Sequence, residues 1–174
     1  HEDSGLAGLI TVVGGKLTTF RQLSEDAVID LSKRLGRSKT KSKSRKRVLP
    51  GGHFRTQADL VNELQANGAN SKVANRLAKL YGSRSLEIYS YANSIANGIN
   101  IIDEKTGLTI GEVDFIWRNE FAKTLTDLMA RRLVLAFEID HGLPYFSKIA
   151  DQIAYIEGWD LKRKESEIAG YHDW

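Results

Sequence analysis

Residues 9–35 read LITVVGGKLTTFRQLSEDAVIDLSKRL, and their periodicity changes at Gly14-Gly15. Leu9 to Val13 form an apolar, largely β-branched run closed by two glycines, which predicts a short buried strand. From Lys16 onward, Leu17, Phe20, Leu23, Ala27, Val28, Leu31 and Leu35 recur at three- and four-residue steps. That spacing predicts an amphipathic helix. Lys33 and Arg34 in its last turn, with Gly36 just beyond, supply a stop. The opening therefore reads strand, Gly-Gly turn, helix.

Outward from this unit, residues 37–50 are rich in Ser, Lys and Arg and hold no apolar residue before Val48. Such a stretch has nothing to bury and predicts a flexible linker, closed by the turn Pro50-Gly51-Gly52. The remainder, 51–174, reads helical. Thr56 and Asn70 are caps for two short helices ending near Asn67-Gly68 and at Gly82. A third starts at Ser83 or Ser85 and runs to Gly98. Ile99 to Ile102 is short and extended. Thr109 caps a long pattern through Val113, Ile116, Trp117, Phe121, Leu125, Leu128, Met129, Leu133 and Ala136, with a bend at Thr124. Two further helices span Tyr145 to Gly158 and Trp159 to about Tyr171. With only two prolines, the fold expected is mainly α, a helical bundle preceded by the strand–turn–helix.

Composition limits what such a chain can do. At 174 residues, with 41% hydrophobic and 27% charged content, it can form a core and is too apolar for disorder. The absence of cysteine excludes disulfides, thiolate metal sites and a thiol nucleophile. No apolar run approaches the roughly 20 residues of a membrane-spanning helix. His1, His53, His141 and His172 are far apart, and Asp103, Glu104 and Gly107 do not complete a calcium loop, so no metal site is expected. The chain opens on His1 rather than Met, and an apolar run follows within a few residues, as expected of a piece of a longer polypeptide or of a trimmed tag.

The net charge of +3 conceals an asymmetry. Nine of the 25 basic residues lie between Lys33 and Arg47 with no acidic residue among them, and the other 16 face 22 acidic residues. The basic character therefore belongs to one segment rather than to a whole binding face. That segment suits an anionic lipid surface or a nucleic-acid arm as well as a solvated loop.

The strongest chemical signal is Gly14-Gly15-Lys16-Leu17-Thr18. Two glycines let backbone approach a flat or anionic group, and the helix that follows directs amide N–H groups and a partial positive charge to the same place. A nucleotide P-loop would need Gly at position 10 and Ser or Thr at 17; the chain has Ile10 and Leu17. The fingerprint G-x-G-x-x-G is missing as well. The same turn also suits a helix packed behind a strand with Lys16 solvated.

The stretch Leu9 to Arg21, followed by Leu23 and Glu25-Asp26-Ala27-Val28, resembles the FAD-dependent glycerol-3-phosphate dehydrogenases, with Phe20 where that family has Tyr. The resemblance continues through Leu49-Pro50-Gly51-Gly52, Leu80-Tyr81-Gly82-Ser83 and Gly111-Glu112-Val113. It includes Arg118, then Glu120, Ala122, Thr124, Asp127 and Arg131-Arg132, and ends in Gly158-Trp159-Asp160. It implies a C-terminal portion of such an enzyme: 1–36 ending the FAD-binding α/β domain, 37–50 a basic linker, 51–174 a helical cap domain. The implied reaction oxidises sn-glycerol 3-phosphate to dihydroxyacetone phosphate and passes electrons to quinone, or to oxygen in the oxidase branch. Lys16 is then the substrate-phosphate residue, and Gly14, Gly15, Leu17 and Thr18 face the flavin. The resemblance places the catalytic base and the adenosine-binding motif upstream of His1, so these residues alone are expected to hold no FAD and to be inactive. The implied partner is the upstream FAD-binding domain, in the cytoplasm or peripheral on the bacterial inner membrane (the mitochondrial one in a eukaryote). Asp127 and Arg131, four apart, are expected to pair on a helix surface or between domains, with Glu120 and Arg132 beside them; an anion-binding role for the pair Arg131-Arg132 is the less favoured reading. A non-catalytic helical module whose basic linker binds anionic lipid or nucleic acid is the alternative, with nucleic acid disfavoured under the family reading.

Overall fold

The computed structural model describes residues 5–37 and 42–174. It forms two compact units, His1–Val48 and Leu49–Trp174, and is mainly helical.

In the first unit, a single 3₁₀ turn, Leu17–Thr19, leads into α1, Phe20–Arg34. Leu35 caps it, and Gly36 follows with φ 64°, the left-handed exit expected from the sequence. Arg21–Glu25 (2.6 Å) and Arg34–Asp30 (3.1 Å) are i, i+4 pairs along its surface. The strand expected over Leu9–Val13 is not formed: these residues have no regular secondary structure. A strand exists through its ladder, and no partner strand pairs with this run among the described residues. The apolar stripe is likewise uncovered, and no described residue of the unit is buried. Leu9, Val12, Val13, Phe20, Val28 and Leu35 each keep half or more of their surface exposed. Lys39 and Lys41 of the basic segment lie outside the described residues; Lys33, Arg34, Arg37, Lys43, Arg45, Lys46 and Arg47 are exposed.

The second unit contains α2 (Gln57–Ala66), α3 (Ser71–Tyr81), α4 (Ser85–Ser94), the strands β1 (Ile101–Asp103) and β2 (Leu108–Thr109), α5 (Ile110–Asn119), α6 (Leu143–Glu157) and α7 (Leu161–His172). Three starts are capped as the sequence indicates. Thr56 and Asp59 form a reciprocal capping box, the Asn70 side chain accepts from the Val73 amide, and Thr109 accepts from the Glu112 amide. The core gathers Leu64, Leu77, Ile88, Leu108, Val113, Ile116, Leu125, Leu128, Met129, Ile149 and Ile153, all essentially without exposed surface.

Three elements differ from the periodicity. The extended segment at Ile99–Ile102 becomes half of an antiparallel hairpin, Ile101 opposite Thr109 and Asp103 opposite Leu108. Its turn is fixed by Asp103, whose carboxylate accepts from the amides of Lys105 and Thr106. The long helix expected from Thr109 to Ala136 is instead α5 followed by a break at Glu120–Lys123, where Phe121 takes φ 57°. Beyond it, Thr124 and Asp127 cap one another: Thr124 Oγ1 accepts from the Asp127 amide (3.0 Å) and the Asp127 carboxylate accepts from the Thr124 amide (3.1 Å). These local side-chain bonds start a new segment, a π-helical turn at Asp127–Arg132. α4 also ends at Ser94, before Gly98.

One buried polar cluster joins α3 to α5. Glu112 has no exposed surface, and its carboxylate accepts from Arg76 Nε at 2.9 and 3.0 Å and from the Tyr81 hydroxyl at 2.6 Å. Burial, reinforced by the adjacent Glu112 carboxylate, pushes the Tyr81 phenol well above its ordinary range, so it remains a donor. At the C-terminus of α3 the Pro50-Gly51 turn packs against Gly82, and the Ser83 amide donates to the Gly51 carbonyl at 2.8 Å. A Cβ on Gly82 (φ 55°, ψ −133°) would lie 1.9 Å from that oxygen. Two stretches of the family resemblance, 49–52 and 80–83, thus meet through backbone atoms that tolerate no side chain.

Gly82→Ala is expected to cost about 2–5 kcal/mol, combining left-handed strain and overpacking, and to appear as a lowered denaturation midpoint with an unchanged denaturant slope. Glu112→Ala is expected to cost about 3–5 kcal/mol by leaving Arg76 buried and unpaired. The double variant Glu112→Leu/Arg76→Met should lose less than that. Additive losses in the cycle would show that the pair does not act as a unit.

Candidate functional site

The five residues singled out in the sequence are consecutive and lie on one exposed turn in the first unit. Lys16 is extended (φ −144°, ψ 138°) and precedes the helical run that begins at Leu17. Thr19 folds back on it, donating both its amide (3.2 Å) and its hydroxyl (2.8 Å) to the Lys16 carbonyl. That closure fixes the turn and commits the Thr19 hydroxyl. The amides of Leu17 and Thr18, at the head of the run, have no intrahelical acceptor. Leu17 is 88% exposed.

The two glycines differ. A Cβ on Gly14 would meet the Leu23 side chain at 2.8 Å, so Gly14 is where the turn packs on α1. A Cβ on Gly15 would meet nothing within 4 Å, so its outer face is open. The arrangement is chemically simple: amide donors, one lysine ammonium and a threonine hydroxyl around an uncovered backbone. It can hold an anion or the electron-rich edge of a ring. Two open clefts flank α1 elsewhere, one beside Phe20, Arg21 and Ser44 and one between Leu9–Val12 and Ala27–Leu31; neither is lined by Gly14–Thr18.

In the second unit, the arginine pair stands as partly expected. Arg131 Nη1 reaches Asp127 Oδ1 at 2.6 Å, the i, i+4 pair read from the spacing. Burial works against the Asp127 carboxylate, but the donors of Thr124, Lys123 and Arg131 outweigh it and hold its pKa below the ordinary value. Glu120 pairs with neither arginine of that block. Its partner is Arg84 at 2.6 Å, a residue the sequence reading did not single out. Arg84 also reaches Glu87 (3.3 Å) and lies over the Phe115 ring at 5.6 Å. The nearest signal was the preceding Leu80-Tyr81-Gly82-Ser83, since nothing local links positions 84 and 120. Among the described residues, no group of three His, Asp or Glu side chains could hold a metal ion, and no helix is long and apolar enough to cross a membrane.

Comparison with known proteins agrees with this architecture. The C-terminal domain of alpha-glycerophosphate oxidase matches residues 42–164, which include α2 to α6 and the Arg84–Arg132 cluster. A protein of Encephalitozoon cuniculi named a probable glycerol-3-phosphate dehydrogenase is 33% identical over 171 residues, covering 93% of this chain and 26% of its own length. The glycerol-3-phosphate dehydrogenase of Synechocystis is 27% identical over 177 residues, covering 100% of this chain and 32% of its own. The mitochondrial enzyme of Bos taurus is 29% identical over 175 residues, covering 95% and 23%. The chain thus spans about a quarter to a third of these relatives, and the alignments run through the Gly14–Thr18 turn as well as the helical unit. A family match over most of the helical unit, with relatives aligned along nearly all 174 residues, places the chain in the glycerol-3-phosphate oxidase and dehydrogenase family, as its C-terminal part.

Proposed function

We propose that these residues serve an FAD-dependent glycerol-3-phosphate dehydrogenase that oxidises sn-glycerol 3-phosphate to dihydroxyacetone phosphate. The observation that supports this reading is the Gly14–Thr18 turn, in which an open glycine face, an extended lysine and the head of a helical run follow one another in the chain. That donor set fits the pyrimidine edge of a flavin, which gathers negative charge on reduction. Gly14 and Gly15 would let backbone approach the ring, and the amides of Leu17 and Thr18 with the Thr18 hydroxyl would meet its carbonyl edge. FAD, when bound, supplies the acceptor for the hydride removed from C2 of the substrate. Lys16, a flexible point charge beside that edge, would hold the substrate phosphate and so orient C2 toward the ring.

The uncovered apolar side chains of the first unit support a docking role for it. Leu9, Val12, Val13, Phe20 and Val28 would be covered by an upstream FAD-binding domain, which in this reading also contributes the catalytic base. The 174 residues alone would then neither retain FAD nor turn over. Electrons would pass to a membrane quinone or to oxygen. The basic residues described between Lys33 and Arg47 are exposed and suit an anionic membrane surface, consistent with a peripheral enzyme of the bacterial or mitochondrial inner membrane. Nucleic acid is not a partner in this reading.

In the FAD-loaded enzyme, Lys16→Ala should raise KM for glycerol 3-phosphate about 10- to 100-fold, the loss of one charge-assisted contact, with flavin content retained. Lys16→Arg should restore part of it. An unchanged KM and kcat in Lys16→Ala would remove Lys16 from the substrate site.

A further inference from the structure

The block from Glu120 to Arg132 can be accounted for residue by residue, with one exception. Glu120 binds Arg84, Ala122 is buried in the core, Thr124 and Asp127 cap the π-helical turn, and Arg131 binds Asp127. Arg132 has no such duty. Its Nε is buried and has no hydrogen-bond partner among the described residues. A buried donor on a charged group is costly to leave without an acceptor, so this Nε is where an acceptor is called for.

The surroundings of Arg132 indicate what that acceptor is. Arg132 lines a mainly polar pocket of about 260 Å³ in the second unit, with Arg84 and Arg131 on its walls and Glu120 as the carboxylate among the lining residues. Glu120 is already engaged by Arg84 at 2.6 Å. Arg84 is also paired with Glu87 and Arg131 with Asp127, so of the three guanidinium groups on the lining Arg132 is the one with no ion pair among the described residues, and Pro50, Leu80 and Tyr81 complete the wall. Guanidinium forks match tetrahedral and planar oxyanions bidentately, and several of them on one lining suit a group with more than two acceptor oxygens. The volume admits an inorganic oxyanion or a small ester of one.

We propose that this pocket is a binding site for a small phosphate-type oxyanion, with Arg132 as its principal ligand and Arg84 and Arg131 flanking it. The inference uses only the second unit and does not rest on the reading of Gly14–Thr18. Free phosphate and a small phosphate monoester share the recognising chemistry; a carboxylate presented by another protein surface is the competing occupant.

The test is a titration of the 174-residue chain followed through arginine Nε–H resonances, with inorganic phosphate, glycerol 3-phosphate and acetate added at constant ionic strength. The Arg132 resonance, identified by its loss in Arg132→Gln, is expected to move saturably with phosphate or with the ester, and whichever binds more tightly names the source. Arg132→Gln should weaken binding at least tenfold in equilibrium dialysis while the far-ultraviolet dichroism stays helical, and Arg132→Lys should be intermediate. Should Arg132→Gln fail to fold, saturation of the wild-type resonance, assigned by correlation to its own backbone, still decides. The proposal is overturned by no saturable movement, by equal movement with acetate or chloride, or by undiminished phosphate binding in a folded Arg132→Gln.

Discussion

A carboxylate with no exposed surface must have its charge met by its neighbours, and at Glu112 those neighbours come from a different helix. Arg76 and Tyr81 both project from α3 to the Glu112 side chain on α5, and Arg76 also reaches the Leu133 carbonyl at 3.4 Å. This sets the axial position of α5 relative to α3 more sharply than apolar contact would, since aliphatic packing is non-directional. With α5 fixed, its exit at Glu120 falls beside Arg84, and the turn carrying Arg131 and Arg132 is delivered to the same place. The Pro50-Gly51 turn closes on the C-terminus of α3 through Gly82 and adds Pro50 to the wall of the same pocket. The charged pocket is therefore a consequence of where one buried ion pair sets two helices.

Much of the helical unit was legible because its boundaries are written in local chemistry. Thr56, Asn70 and Thr109 each satisfy an amide within three residues of themselves, and Gly82 and Gly158 terminate helices through conformations that other residues rarely adopt. The failures are non-local or come from competition. Apolar spacing continues from Val113 to Ala136, but the mutual capping of Thr124 and Asp127 and the left-handed Phe121 break the helix that the spacing alone predicts. The hairpin at 101–109 depends on pairing, which periodicity does not encode. Leu9–Val13 has the composition of a buried strand, and composition does not provide the neighbouring strand that would make it one.

The two candidate sites differ in the same way. Gly14–Thr18 is a candidate legible in sequence because its five residues are adjacent and the chemistry proposed for it is largely that of the backbone. The arginine pocket could be read only in part: the pair Arg131-Arg132 admits an anion-binding role, but Arg84 lies 36 positions from Glu120 and is brought to it by tertiary packing. Arg132 was visible as half of an arginine pair, but its unmet Nε is a property of the fold and not of the motif.

The central claim is that the Gly14–Thr18 turn belongs to a flavin site completed by residues outside this chain. It is tested most directly by the visible absorbance of two purified proteins: the 174 residues alone, and the same residues extended through the sequence upstream of His1. The account predicts flavin bands in the longer protein only, bleached on addition of glycerol 3-phosphate. Stoichiometric flavin in the 174 residues alone, or a folded longer protein with no flavin, would contradict it.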